Sequence, residues 1–160
     1  MTVKRDREEP TPEAQLRSSI DRLDPKIQKL VRSVRTALRR RFPTANELAY
    51  DYGRSIVIGY SPTDNGIDAV VAIAARATGV SLYFNQGPQL PDPNGILLGS
   101  GKQTRFIHLE AASRLADPDV EALLAAAIDQ ARIPLPAKGK GRLVIKPPAA
   151  KKRLRRKPKK

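Results

Sequence analysis

Apolar and polar residues alternate with a period of two through the middle of the chain, the pattern of strands that bury one face. The alternation predicts five strands, at residues 46–52, 55–60, 68–75, 80–84 and 104–109. The alanines of the third segment also suit a helix, but its β-branched residues and flanking Gly favour a strand. Short connections, one with an Asn-Gly pair, indicate mostly antiparallel pairing.

Three other segments space their apolar residues by three and four, as amphipathic helices do. Each begins with a polar residue followed by proline, at Thr11, Asp24 and Asp117. The first helix should end near residue 22, the second before Pro43 and the third before Pro134. The second helix has no acid between Lys26 and Arg41, so its exposed faces are basic.

The order of helix, helix, five strands and helix predicts a two-layer α+β domain. We expect a sheet of about five mostly antiparallel strands with the helices on one face. In the fourth strand, Val80, Leu82 and Phe84 should face the helices, which leaves Ser81 and Tyr83 on the other face. That uncovered face would be polar and partly aromatic.

Charge is distributed very unevenly along the 160 residues. Of the 30 Lys and Arg residues, 12 lie in residues 137–160, which contain no acid, so residues 1–136 carry 18 basic and 16 acidic side chains. This C-terminal basic segment has too few apolar residues to fold alone. We divide the chain into a flexible N-terminus (1–10), an α+β domain (11–133) and a disordered basic tail (134–160). Within the tail, Leu-Val-Ile at residues 143–145 offers either an edge strand or a docking segment.

A cationic run at the C-terminus suggests a polyanion as partner, because such runs bind phosphates by releasing condensed counterions. We expect eight residues to contact nucleic acid without sequence preference: Lys151, Lys152, Arg153, Arg155, Arg156, Lys157, Lys159 and Lys160. The basic second helix would extend this footprint. A membrane-inserting segment would contain more large apolar residues, so nucleic acid is favoured over lipid. The alternative is a tail that only increases solubility.

The Gly-rich loop at residues 99–104 resembles a phosphate-binding loop only superficially. In a P-loop, Ser or Thr follows the Gly-Lys pair and a helix comes next, whereas here Gln103 follows Lys102 and a strand is predicted. Nucleotide hydrolysis is therefore excluded. A small-anion or ligand site formed by Lys102, Arg105 and Tyr83 stays open, against the alternative that the glycines only permit a tight turn.

Few other residues suggest chemistry. The chain has no Cys and one histidine, His108, so neither thiolate chemistry nor a His cluster is available within one chain. Tyr50, Tyr52 and Tyr83 either stack on a ligand or serve as packing anchors. We expect a non-enzymatic protein without a cofactor. No apolar run approaches the length of a membrane span and no secretory leader is visible, which favours the cytoplasm.

Several segments resemble the YdhG-like domain of unknown function. They are ANELAYDYGRSIVIGYSPTD, VSLYFNQGPQLPDPNGILLGSGK followed by TRFIHLE, and DPDVEALLAAAIDQA, within residues 23–131. The most recognisable part comprises Gly101, Lys102, Arg105, Phe106 and Ile107. The resemblance implies a small α+β domain with helices on one side of an antiparallel sheet.

Some members of that family are described as frataxin-like iron chaperones. The resemblance therefore implies an alternative function, a metal-binding or small-ligand-binding domain that acts through the open sheet face and the Gly-rich loop. Iron binding of the frataxin type relies on an acidic helix, because hard cations prefer carboxylate oxygens. The long helix of this chain is basic instead. A protein partner is a further possibility for the domain.

Overall fold

A computed structural model describes residues 9–147 and shows three α-helices and a six-stranded sheet in that range. The helices are α1 (Pro12–Asp21), α2 (Pro25–Arg41) and α3 (Pro118–Asp129). The strands are β1 (Asn46–Asp51), β2 (Ser55–Ser61), β3 (Val71–Arg76), β4 (Gly79–Phe84), β5 (Arg105–Leu109) and β6 (Leu143–Lys146). The predicted α+β fold is confirmed. The predicted start of β3 was wrong by three residues, because Gly66–Asp68 forms a short 3₁₀ turn.

The strands lie in the order β5-β4-β3-β2-β1-β6. Every pair is antiparallel except β1 and β6, which run parallel. The sheet therefore has one strand more than the predicted number of about five. Residues 143–146 form an edge strand, the first of the two alternatives for the Leu-Val-Ile run, inside the segment predicted to be disordered from residue 134. Leu143 lies opposite Glu47, and Ile145 lies opposite Ala49.

Close backbone contacts before β6 explain why this short segment joins the sheet. The Gly141 N–H donates to the Pro43 carbonyl at 3.1 Å, and the Glu47 N–H donates to the Arg142 carbonyl at 2.9 Å. A Cβ on Gly141 would lie 1.7 Å from the Ala45 carbonyl oxygen, so only glycine fits there. The partner strand is almost 100 residues away in sequence, so a local pattern of residues cannot show the pairing.

The hydrophobic core lies between the helices and one face of the sheet. Val80, Leu82 and Phe84 of β4 point into it, as predicted, and are at most 2% exposed. Helix α2 contributes a buried stripe of Ile27, Val31, Val34 and Leu38. The predicted start of α1 is also confirmed. The Thr11 hydroxyl caps this helix by accepting a hydrogen bond of 3.1 Å from the Ala14 N–H.

The other side of the sheet is called the open face below. Strand register places these residues on it: Leu48, Tyr50, Val57, Ala74, Ser81, Tyr83, Phe106, His108 and Lys146. Leu48 is nevertheless fully buried. A second group of residues on β1 faces the core, and it includes the carboxylate of Glu47, which is 4% exposed. The strands therefore bury one unexpected charge and leave an aromatic surface on the far side.

Candidate nucleic-acid interface

The eight basic residues predicted to contact nucleic acid all follow residue 150 and lie outside the described residues. The structure does describe where the C-terminal basic segment begins. Lys138, Lys140, Arg142 and Lys146 all precede Pro147, the last described residue, and β6 joins this stretch to the sheet edge. The first part of the basic segment is therefore part of the folded domain.

A cleft of ≈ 540 Å³ lies between the C-terminal end of α2 and the segment that leads into β6. Its basic side chains come from both sides and are all exposed: Arg39 and Arg40 from α2, Lys140 and Arg142 from the C-terminal segment. Phe42 forms part of its wall. This cationic cleft exists only because β6 pairs with β1. The sequence prediction missed it by treating Lys140 and Arg142 as tail.

One acid, Glu47, also lines the cationic cleft, but its charge is compensated. Arg35 Nη2 lies 2.7 Å from Glu47 Oε1, and Arg35 Nε donates to Oε2 at 2.9 Å. The hydroxyl of Tyr60 donates to the same carboxylate at 2.8 Å, and Arg39 Nε lies 3.6 Å away. The cleft therefore keeps a net positive charge for an incoming anion.

Hydrogen bonds and burial shift the pKa values of the groups around Glu47. Burial works to lower the pKa of Arg35, but its hydrogen bonds to Glu47 and Glu13 outweigh burial and raise it. The same hydrogen bond from Arg35 lowers the pKa of Glu13. Burial, followed by the nearby Glu47 charge, raises the pKa of Tyr60 well above its ordinary value. Arg35 therefore remains charged and Tyr60 remains a hydrogen-bond donor.

The basic residues of α2, which were predicted to extend the nucleic-acid footprint, differ in whether they pair with an acid. Arg32 pairs with Asp21 at 2.6 Å, and Arg41 pairs with Glu121 at 2.8 Å. Within residues 9–147, Arg40 makes no ion pair, and the same holds for Lys140. Arg40 and Lys140 are therefore more available to phosphate than Arg32 and Arg41, whereas the other two cations of the cleft, Arg39 and Arg142, also have acidic partners.

The predicted anion site at the Gly-rich loop is not assembled. Tyr83 lies opposite Phe106 on the open face, whereas Arg105 lies opposite the core residue Phe84 and so belongs to the other face. The Arg105 guanidinium donates to the carbonyl oxygens of Gly101 and Thr104 in its own loop. Lys102 is exposed in that loop. The structure corrects the grouping of Lys102, Arg105 and Tyr83 because neighbouring strand residues point to opposite faces.

The aromatic residues of the open face stack on one another across the strands. Tyr83 and Phe106 have ring centroids 5.1 Å apart, and His108 meets Phe106 edge-on at 5.4 Å. Tyr50 and Tyr52 form a second stacked pair at 6.3 Å. Burial and the neighbouring Tyr52 raise the pKa of Tyr50. These rings pack on each other, yet all of them keep part of their surface in solvent.

A Ser–His pair on the open face was not anticipated, because its two residues lie on different strands. Ser81 Oγ is 3.0 Å from His108 Nδ1, a distance that a catalytic pair would also show. Ser81 is only 6% exposed, so its hydroxyl presents little surface to a substrate. The pair is a cross-strand hydrogen bond that orients the imidazole.

Neither a metal centre nor a membrane span is found in the described part of the chain. Residues 9–147 contain no group of three or more His, Asp or Glu side chains arranged to hold a metal ion. The alternative of iron binding therefore gains no ligand set from these residues. None of their helices is long and apolar enough to cross a membrane.

No protein-family model matches the chain, and no curated protein or solved structure shows significant similarity to it. The resemblance to the YdhG-like domain therefore stays a prediction from the sequence. Any functional conclusion must rest on the distribution of charge and on the geometry of the cationic cleft and the open face.

Proposed function

We propose that this protein binds nucleic acid without sequence preference through its C-terminal basic segment, and that the α+β domain acts as a non-enzymatic support in the cytoplasm. The observation that carries the proposal is charge segregation. Residues 137–160 hold 12 basic residues and no acid, beside a domain that is nearly neutral. A nearly neutral domain gives no general attraction for polyanions, so the basic segment supplies the binding.

The mechanism is electrostatic. Each Lys or Arg that pairs with a phosphate releases condensed counterions, and the resulting gain in entropy drives binding. Arg40 and Lys140 in the cationic cleft add two cations that make no ion pair within residues 9–147. Because β6 holds residues 143–146 in the sheet, the basic segment begins at a fixed point of the domain. Phosphates bound by the tail are therefore held near the cleft.

The decisive experiment compares the full chain with a chain that ends at Pro147, which keeps all six strands. A third protein, of full length, has its eight terminal basic residues replaced by Gln. We expect both variants to bind duplex DNA far more weakly in fluorescence anisotropy. The slope of log Kobs against log salt should become shallower by up to about 7, since each phosphate contact contributes about 0.9. Equal affinity and equal slope for all three proteins would refute the proposal.

The contribution of the cationic cleft is measured in the full chain. Arg40→Gln with Lys140→Gln removes two cleft cations without breaking an ion pair within residues 9–147. The control, Lys26→Gln with Lys29→Gln, removes two exposed cations from the other end of α2. We expect the cleft variant to lower the salt slope by about 2 and the control to change it less. The same effect from both variants would show that only the overall charge matters.

A further inference from the structure

The two aromatic groups of the open face flank a central strip of smaller side chains. Register places one row of residues across all six strands: Lys146, Tyr50, Val57, Ala74, Ser81 and His108. Tyr50 is on β1, and Tyr83 is on β4, three strands away. At about 4.8 Å per strand, the two groups lie about 14 Å apart. The strip between them consists of small side chains that expose little surface, since Ala74 is 3% exposed and Ser81 is 6% exposed.

The aromatic margins of this surface are partly exposed, although the turn at Gly66 packs against the hydroxyl of Tyr50. Tyr52 is 38% exposed at one margin. At the other margin Leu98, which bridges to Phe106, is 43% exposed. A core packing surface would have been covered by a helix, as the other face is. Aromatic rings that are rigidly packed yet partly exposed suit a flat apolar ligand.

The charge of the open face favours flat ligands that are negatively charged. Among the strand residues that point to this face, none is acidic, and Lys146 and Arg76 are basic. Lys146 Nζ donates to a backbone carbonyl, that of Asp64, at 2.9 Å, and makes no ion pair within residues 9–147. The basic segment continues from Lys146, which lies beside Tyr50. A flat ligand with a polyanionic backbone matches both the rings and the charge.

We propose that the open face stacks unpaired bases, so that the preferred ligand is a single-stranded nucleic acid; this inference rests on the proposed function. Bases of a single strand present their rings to aromatic side chains, whereas bases of a duplex are stacked on each other. Tyr52 and Tyr83 supply stacking surfaces on the two sides of the strip. The C-terminal basic segment holds the phosphates. Sequence preference is not expected, because every base has a π-face.

The test uses three labelled probes with the full chain: a 20-nucleotide oligo(dT), an abasic strand of the same length and a 20-base-pair duplex. We expect oligo(dT) to bind more tightly than the abasic strand at equal salt. The variant Tyr52→Leu with Tyr83→Leu should lose about tenfold in affinity for oligo(dT) per stacked base lost. Its affinity for the abasic strand and its salt slope should stay unchanged. The control Ile133→Ala truncates an equally exposed residue outside the sheet, 38% exposed, and should change none of these values.

A second readout needs no variant. The chain contains four Tyr and no Trp, so its intrinsic fluorescence comes from tyrosine. Stacking should quench this emission with oligo(dT) but not with the abasic strand, which decides the question even if the double variant fails to fold. Equal affinity and equal emission with both strands would overturn the inference and leave the proposed function standing. Failure to bind any of the three probes would overturn both.

Discussion

Replacing Glu47 with Ala should destabilise the domain more than any other single loss of an ion pair within residues 9–147. The Glu47 side chain is 5% exposed and that of Arg35 is 13% exposed, so this pair is almost out of water. The carboxylate also accepts the buried hydroxyl of Tyr60. Within residues 9–147, its removal leaves the Arg35 guanidinium with only Glu13 as ion-pair partner and leaves the Tyr60 hydroxyl without its acceptor.

The size of the effect follows from these contacts. Breaking a buried ion pair by removal of one partner costs about 3–5 kcal/mol. A domain of this size is stable by roughly 5–15 kcal/mol, so a large part of the total is lost. Tyr60→Phe removes only one hydrogen bond and should cost about 1 kcal/mol. Glu47→Gln keeps an acceptor for Tyr60 but loses the charge, so its cost should lie between the two.

The assay is equilibrium unfolding in urea, followed by circular dichroism, with the double variant Glu47→Ala and Tyr60→Phe included. Because the two groups share one hydrogen bond, their costs should not add, and the coupling should be about 0.5–3 kcal/mol. Glu121→Ala is the matched control, since it removes the partner of Arg41 from a pair whose side chains are 34% and 46% exposed. That change should cost less than about 1 kcal/mol.

A cost of Glu47→Ala no larger than that of Glu121→Ala would contradict the burial of this ion pair. Additive costs of the Glu47 and Tyr60 substitutions would contradict their shared hydrogen bond. In either case the carboxylate would be solvated in solution, and the cationic cleft would contain an uncompensated acid. The availability of the cleft to phosphate would then have to be reconsidered.

Two further predictions concern pH and the edge strand. Burial alone would raise the pKa of Asp51. Hydrogen bonds from Arg22 and Ser19 outweigh burial, so the pKa of Asp51 is lowered. Its stabilisation is present above about pH 4 and is lost as pH falls through the folded-state value, so Asp51→Asn should flatten the acid limb of thermal stability. Gly141→Ala should detach β6, because its Cβ would clash with the Ala45 carbonyl; hydrogen exchange at residues 143–146 should rise, and Lys140→Ala should leave it unchanged.

The sequence predicted those features whose causes lie within a few residues of one another. The Thr11 cap and the proline after it mark the start of α1, and the alternation along β4 assigns Val80 and Tyr83 to opposite faces. These signals are local, so a single sequence shows them. The three helices and the first five strands were therefore predicted correctly, apart from the start of β3.

The rest depended on contacts between distant residues. The Glu47 carboxylate is buried because Arg35 and Tyr60 come from two other elements. Arg105 appeared close to Tyr83 in the pattern of the Gly-rich loop, yet register places the two on opposite faces. Only strand pairing and packing against α2 reveal such arrangements, and neither is encoded in local spacing.

Strand β6 lies between the two proposed binding surfaces. The C-terminal segment therefore contributes its position on the domain as well as its charge. Lys140 and Arg142 precede the strand and line the cationic cleft, whereas Lys146 ends it beside Tyr50 on the open face. A flexible tail attached elsewhere would bring phosphates to the domain at random positions. Attachment at this edge raises their effective concentration at both surfaces. Detachment of β6 by Gly141→Ala should therefore weaken oligo(dT) binding although no charge is removed, and unchanged affinity would show that the tail acts independently of the domain.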